Sequence, residues 1–266
     1  MGEVYGRRDG YVFHVLSVEV SAGGLMIQML VWLLPASRFK NRLLRGLGHK
    51  VAPSALIGPN LLYGVRCVKI GECARVGPFN VFRGLSQLIL EDYAIISSWN
   101  WISAHPGFQT VDHDAGTLFM GYAAKIGSRN YLDCSGTVIA REYSHLGGNR
   151  CFVQSHAPDY ANATVTVGRV TIGHHAMVGS CAVMLKGANL PDQSLLASNS
   201  TMLRSSAADG KRGLYAGSPA KWRRETIGRY FDTDDAYDLD NWVVDEPMGI
   251  LAADVSVRDK AIASET

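Results

Sequence analysis

The chain has 266 residues, with 26 Lys and Arg against 24 Asp and Glu, a formal net charge of +2 and 19% charged residues. That length can bury a large core, and the near-neutral balance argues against a nucleic-acid surface, which normally shows a concentrated basic stripe. Five cysteines (Cys67, Cys73, Cys134, Cys151 and Cys181) are odd in number and form no CxxC pair, so they read as small buried thiols in a reducing, cytoplasmic setting.

Near the N-terminus, Gly23–Leu34 is apolar apart from Gln28 but only twelve residues long, too short to cross ~30 Å of hydrocarbon. No small-residue cleavage site follows it, so it is not a signal peptide. After Pro35, the cations Arg38, Lys40, Arg42 and Arg45 interleave with Phe39, Leu43, Leu44 and Leu47, which predicts a basic amphipathic helix. Residues 1–50 are therefore expected to form a helical cap. Weak peripheral contact with the inner, anionic face of a membrane is its alternative use.

Residues 51–205 carry a period that is neither 3.6 nor 2.0. Five six-residue units run unbroken from Ile172 to Thr201, each opening on a large aliphatic (Ile172, Val178, Met184, Leu190, Leu196) and carrying Ala or Ser at its fifth position. A short strand that turns a corner every six residues produces that pattern, and such units stack into a parallel β-helix. The phase extends upstream through Ile70, Val76 and Phe82, then Leu90, Ile96 and Ile102, then Ile126, Leu132 and Val138, then Leu146 and Phe152. Its recurrent steps of eight predict one corner that takes two extra residues. Between Ile102 and Ile126 the phase is lost, so residues 105–122 read as a loop thrown out of the stack, where specificity usually sits. A second, shorter excursion is expected over Ala157–Thr164. Residues 206–266 form a C-terminal segment whose tail gains Asp232, Asp234, Asp235, Asp238, Asp240, Asp245 and Glu246, mixed with Tyr230, Phe231, Tyr237 and Trp242. An acidic run of this kind is a solvated surface, and its aromatics suggest that it lies against something.

The hexads, followed by Tyr215-Ala216-Gly217-Ser218-Pro219-Ala220-Lys221, resemble the hexapeptide-repeat acyltransferases, in particular the branch that acetylates sugars and polysaccharide precursors. The resemblance spans roughly residues 33–225, from the entry Leu33-Leu34-Pro35-Ala36-Ser37-Arg38-Phe39-Lys40-Asn41 onward. It departs at Ser218, where the family carries Asn, and at Ala176-Met177-Val178-Gly179, where relatives often carry Trp. The resemblance implies an all-β, left-handed parallel β-helix, an exception to the right-handed crossover rule. It also implies a homotrimer with three sites between neighbouring subunits, acetyl-CoA as co-substrate, a sugar or glycan acceptor and no metal.

A sugar hydroxyl needs a general base, and histidine suits that role near neutral pH. Of His14, His49, His105, His113, His145, His156, His174 and His175, the resemblance points to His156, in Gln154-Ser155-His156-Ala157-Pro158-Asp159, shortly ahead of Ile172. His105 is the rival base and also a candidate acceptor contact. Asp159 and Glu142 are the candidates to orient the imidazole, and the Ser155 hydroxyl is a candidate oxyanion donor. Coenzyme A is expected along the last coils, where Gly179, Ala197 and Ser198 let it approach and where Lys186, Lys221, Arg223 and Arg224 meet its phosphates. Trp99 and Trp101 are candidates to stack on a sugar ring. Two alternatives stay open: a non-catalytic scaffold of the same repeat, and a zinc carbonic anhydrase of the same fold. The second lacks the H-x4-H pair it would need.

Overall fold

The computed structural model describes residues 5–8, 11–14 and 22–232. The acidic tail beyond Asp232, with Tyr237 and Trp242, lies outside the described residues. Three parallel sheets of short strands wrap one apolar axis in seven coils. The first coil consists of Lys50–Val51, Leu56–Ile57 and Leu61–Tyr63, one strand on each face, and the seventh of Asn189–Leu190, Leu195–Leu196 and Thr201–Met202. This is the expected parallel β-helix, and its sheets are consistent with left-handed winding.

The core is three ladders of inward side chains. Ile57, Val76, Ile96, Ile126, Leu146, Val178 and Leu196 line the second face, and Tyr215 continues that ladder past the last coil. Each inward residue contacts its equivalents one coil above and below, so a coil buries its apolar face only against its neighbours. The small fifth-position residues Ala176, Ala182, Ala188, Ser194 and Ser200 are all buried, where the corners leave no room for more. At the corner between the second and third faces, Asn60, Asn80, Asn100 and Asn130 form a buried ladder. Each side-chain oxygen accepts the backbone N–H of the next member at 2.7–2.9 Å, and Cys151 N–H ends the series on Asn130.

The corner from the third face back to the first is the one that takes extra residues. It steps by eight at Leu62–Ile70, Phe82–Leu90 and Leu132–Ala140, and both large excursions leave from it. The first excursion ends earlier than expected. Thr117–Met120 already pairs with Gln87–Leu90 and Thr137–Ala140, because Leu118 and Met120 point into the core. The second is an antiparallel hairpin, His156–Asp159 with Thr164–Val167. The upstream phase also needs one correction. Val153, fully buried, is the inward residue, and Phe152 faces out against Tyr131 at 5.6 Å. An extra residue within Gly147–Arg150 shifts the register there.

Two helices pack on the first coil. Helix α1 (Ala22–Leu33) packs on Leu61–Tyr63, and α2 (Arg38–Gly46) packs on Lys50–Val51. Trp32 is fully buried against Phe82 at 5.7 Å between ring centroids, and Gln28 donates to Val65 O. Lys40, expected on a solvated face, is instead buried. Its ammonium donates to Trp32 O, Leu34 O and Gly58 O at 2.7–2.8 Å and satisfies carbonyls at the end of α1. Burial holds that amine down, at about 8. Residues 1–50 are not helical throughout, since Tyr5–Arg8 pairs antiparallel with Tyr11–His14. At the other end, Leu214–Gly217 adds to the second face beside Leu195–Leu196, and Ala220–Arg224 folds back on it. Strand pairing therefore runs past the expected boundary at 205. Cys67, Cys134 and Cys151 are buried as expected, but Cys73 and Cys181 are exposed at corners.

Candidate active site

Ser103, Asp133 and Gln154 are register partners at the ends of three successive third-face strands. The chain turns the corner after each, placing His105, Ser135 and His156 at equivalent turns of neighbouring coils. His105 N–H donates to Ser135 Oγ at 3.0 Å. His156 Nδ1 faces Asp133 Oδ2 at 2.5 Å, with the carboxylate side chain 11% exposed and the imidazole 35% exposed. Ser155 N–H also donates to Oδ2 at 3.2 Å, while Ser135 N–H and Oγ–H donate to Oδ1 at 3.2 and 2.5 Å. Both carboxylate oxygens are thus fixed in place. A carboxylate that accepts at Nδ1 holds the imidazole proton there and leaves the Nε2 lone pair free.

The first excursion reaches back toward this dyad. Its 3₁₀ turn Pro106–Thr110 is anchored by Gln109, which donates to Gly84 O at 2.7 Å. Phe108 then lies 5.8 Å from the His105 ring and 6.3 Å from the His156 ring, between centroids. His105 Nδ1 accepts Gly107 N–H at 3.2 Å. Its neutral form therefore carries the proton on Nε2, which makes it a hydrogen-bond donor and not a base.

Several expected roles fall elsewhere. Asp159 does not orient His156. Its carboxylate accepts Ala161 N–H, Asn162 N–H and Asn162 Nδ2 at the hairpin tip, and the bonds from Asn162 hold it below the usual carboxylate range. Glu142 sits at a different corner, 4.0 Å from Arg141. Ser155 is fully buried, and its Oγ is committed to Asp133 O and Gly136 N–H, both at 2.8 Å, so it offers no donor to an oxyanion. Asp133 and Phe108 are the residues that the sequence did not single out.

Of the cofactor candidates, Gly179, Ala197, Ser198 and Lys221 lie toward another corner, while Arg224 pairs with Leu214 at the opposite end of that face. A Cβ on Gly179 would meet Ser198 N at 2.7 Å, so the glycine is required by the next coil. Ala197 and Ser198 follow Leu195–Leu196, and Lys221 pairs with Ala216 in the closing hairpin, where Arg223 and Arg224 are also exposed. The width of the third face, on the order of 15–20 Å at ~3.3 Å per residue, separates this cluster from His156 within one chain. Lys186 is the exception. It lies beside the His156 hairpin, and its ammonium donates to Thr166 Oγ1. Trp99 stands at the far corner beside Phe79 at 4.7 Å, and Trp101 lies 6.4 Å from Tyr131 with ring planes 3° apart; the two tryptophans remain 59% and 42% exposed. Among the described residues, no three His, Cys, Asp or Glu side chains converge to hold a metal ion.

The fold places the chain among parallel β-helices of hexapeptide repeats. No family profile and no curated protein matches it. Among solved structures it is similar to a D94A mutant of AntD, an N-acyltransferase from Bacillus cereus in complex with dTDP and coenzyme A, at 13% identity and a TM-score of 0.39, over 70% of this chain and 89% of that one. It is similar to the polysialic acid O-acetyltransferase OatWY at 16% identity and a TM-score of 0.42, over 68% and 87%. A third likeness is the polySia-specific acetyltransferase NeuO, at 12% and 0.34, over 82% and 94%. At these identities and TM-scores the likenesses carry no argument about the site, whose chemistry rests on its own side chains.

Proposed function

We propose that this chain transfers an acyl group from acetyl-CoA, or a related acyl-CoA, to a hydroxyl of a sugar or glycan, with His156 as general base and Asp133 as its positioning residue. The observation that carries this is the 2.5 Å contact that leaves His156 Nε2 free at a partly open corner. Nε2 takes the hydroxyl proton as the oxygen attacks the thioester carbonyl, and Asp133 stabilises the imidazolium that forms. Collapse of the tetrahedral adduct breaks the C–S bond, and the thiolate leaves with the proton from His156. His105 Nε2–H is a donor for the acceptor, and Phe108 is an apolar wall beside it.

The distance between the dyad and the Gly179–Lys221 cluster supports a site shared by neighbouring copies of a homotrimer, in which Lys221 of one copy meets the cofactor used by the dyad of another. Dependence on acyl-CoA supports a cytoplasmic location for the activity. A buried His156 region would have favoured a pure scaffold, and the imidazole is 35% exposed.

The test follows release of free thiol from acetyl-CoA in the presence of a panel of nucleotide-sugars and glycans. His156→Ala is expected to cut turnover by about 10²–10⁴-fold, the range general-base catalysis supplies, with little change in KM for acetyl-CoA. An active His156→Ala protein beside an inactive His105→Ala one would move the base to the long loop and overturn this assignment.

A further inference from the structure

The outward side of the N-terminal cap has no role in the transfer chemistry. Helix α1 buries Gln28, Val31 and Trp32 and turns Met26, Ile27, Leu30 and Leu33 to solvent, at 64%, 53%, 57% and 47% exposure. These four fall at i, i+1, i+4 and i+7, one contiguous helical stripe. Phe39, in the first turn of α2, is 63% exposed. Helix α2 buries Lys40, Asn41 and Leu44 and leaves Arg38, Arg42 and Arg45 exposed on its other side. From Val20 to Gly71 the sequence contains no Asp or Glu, so no carboxylate of that stretch offsets these cations.

From this arrangement we infer that α1 and the start of α2 form a docking surface for an anionic lipid bilayer. Twelve residues at ~1.5 Å each give α1 a length of about 18 Å, well short of a ~30 Å hydrocarbon core. It lies in the interface, with its apolar stripe at the acyl boundary and the arginines at the headgroups. Charge selects a lipid surface over a two-fold contact of this face with itself, which would bring like charges together. The inference is independent of the proposed transfer reaction. The reaction can fail with the docking intact, and the reverse holds as well.

The full chain is sedimented with vesicles of phosphatidylcholine alone and of phosphatidylcholine with phosphatidylglycerol. Binding is expected only to the second, and it should weaken as salt shortens the Debye length below ~10 Å. Leu30→Glu should abolish it. Arg38→Gln and Arg42→Gln should each weaken it about five-fold and flatten the salt dependence. Leu30 is exposed, so the variant should keep the wild-type circular dichroism spectrum and thiol-release activity. Absence of binding to anionic vesicles, equal binding to both compositions, or undiminished binding by Leu30→Glu would overturn the inference. Loss of oligomeric mass in Leu30→Glu, without lipid binding by the wild type, would assign the face to a second copy.

Discussion

A histidine serves as a base only when one ring nitrogen is held and the other is open, and that condition is met at His156 through Asp133 Oδ2. Asp133→Asn keeps the shape but lets the amide donate to Nδ1, which forces the proton onto Nε2 and removes the base. Turnover should fall about 10²–10⁴-fold, as when an orienting carboxylate is lost elsewhere. Asp159→Asn changes only a hairpin-tip contact and should leave turnover near wild type. A reversed pattern in steady-state kinetics would restore Asp159 as the orienting group. Asp133 was hidden from sequence reasoning because its partner is one coil away. That coil is lengthened by the two-residue corner and by the insertion within Gly147–Arg150, so a six-residue count does not align Asp133 with Gln154.

At the scale of single strands, the inward or outward direction of a side chain sets its energetic weight. Val153 is fully buried in the third-face ladder and Phe152 faces out. Val153→Asp should cost about 3–5 kcal/mol, because an unpaired charge enters the core. Phe152→Asp should cost about 1 kcal/mol, the loss of one stacked contact with Tyr131. Denaturation midpoints of the two variants check this, and equal costs would mean that the register at the insertion is misassigned. Corners carry strain that the ladders offset. Tyr93, Trp99, Tyr143 and Cys181 are among the non-glycine residues with φ near +60°, a conformation that costs on the order of 1 kcal/mol each.

Across the whole molecule, two histidines outside the site couple stability to pH. Burial lowers His49 to about 4, and burial together with the nearby Lys125 ammonium lowers His145 to about 4. The unfolded chain titrates both near 6.5, so between those values it binds more protons than the folded state. Their contribution to stability is complete above pH 6.5 and is lost as pH falls toward 4. Melting temperature should therefore drop over that window in the wild type and drop less in a His49→Phe, His145→Gln double variant. Parallel curves for the two proteins would show that these histidines are not linked to unfolding.

The hexads from Ile172 to Thr201, the corner that takes extra residues and the basic helix after Pro35 were legible in the sequence, because each coil buries its side chains against a copy of the same local pattern. Periodicity alone is enough to describe such contacts. The resemblance to the hexapeptide-repeat acyltransferases also pointed to His156, just ahead of the unbroken run of hexads. Only the tertiary structure could decide what faces its imidazole, because Asp133 and Phe108 reach it from two separate segments whose alignment depends on corner lengths. The same holds for Lys40. Its neighbours in sequence made it a solvated cation, whereas three carbonyls, one of them Gly58 O eighteen residues away, make it the buried tie that holds the cap.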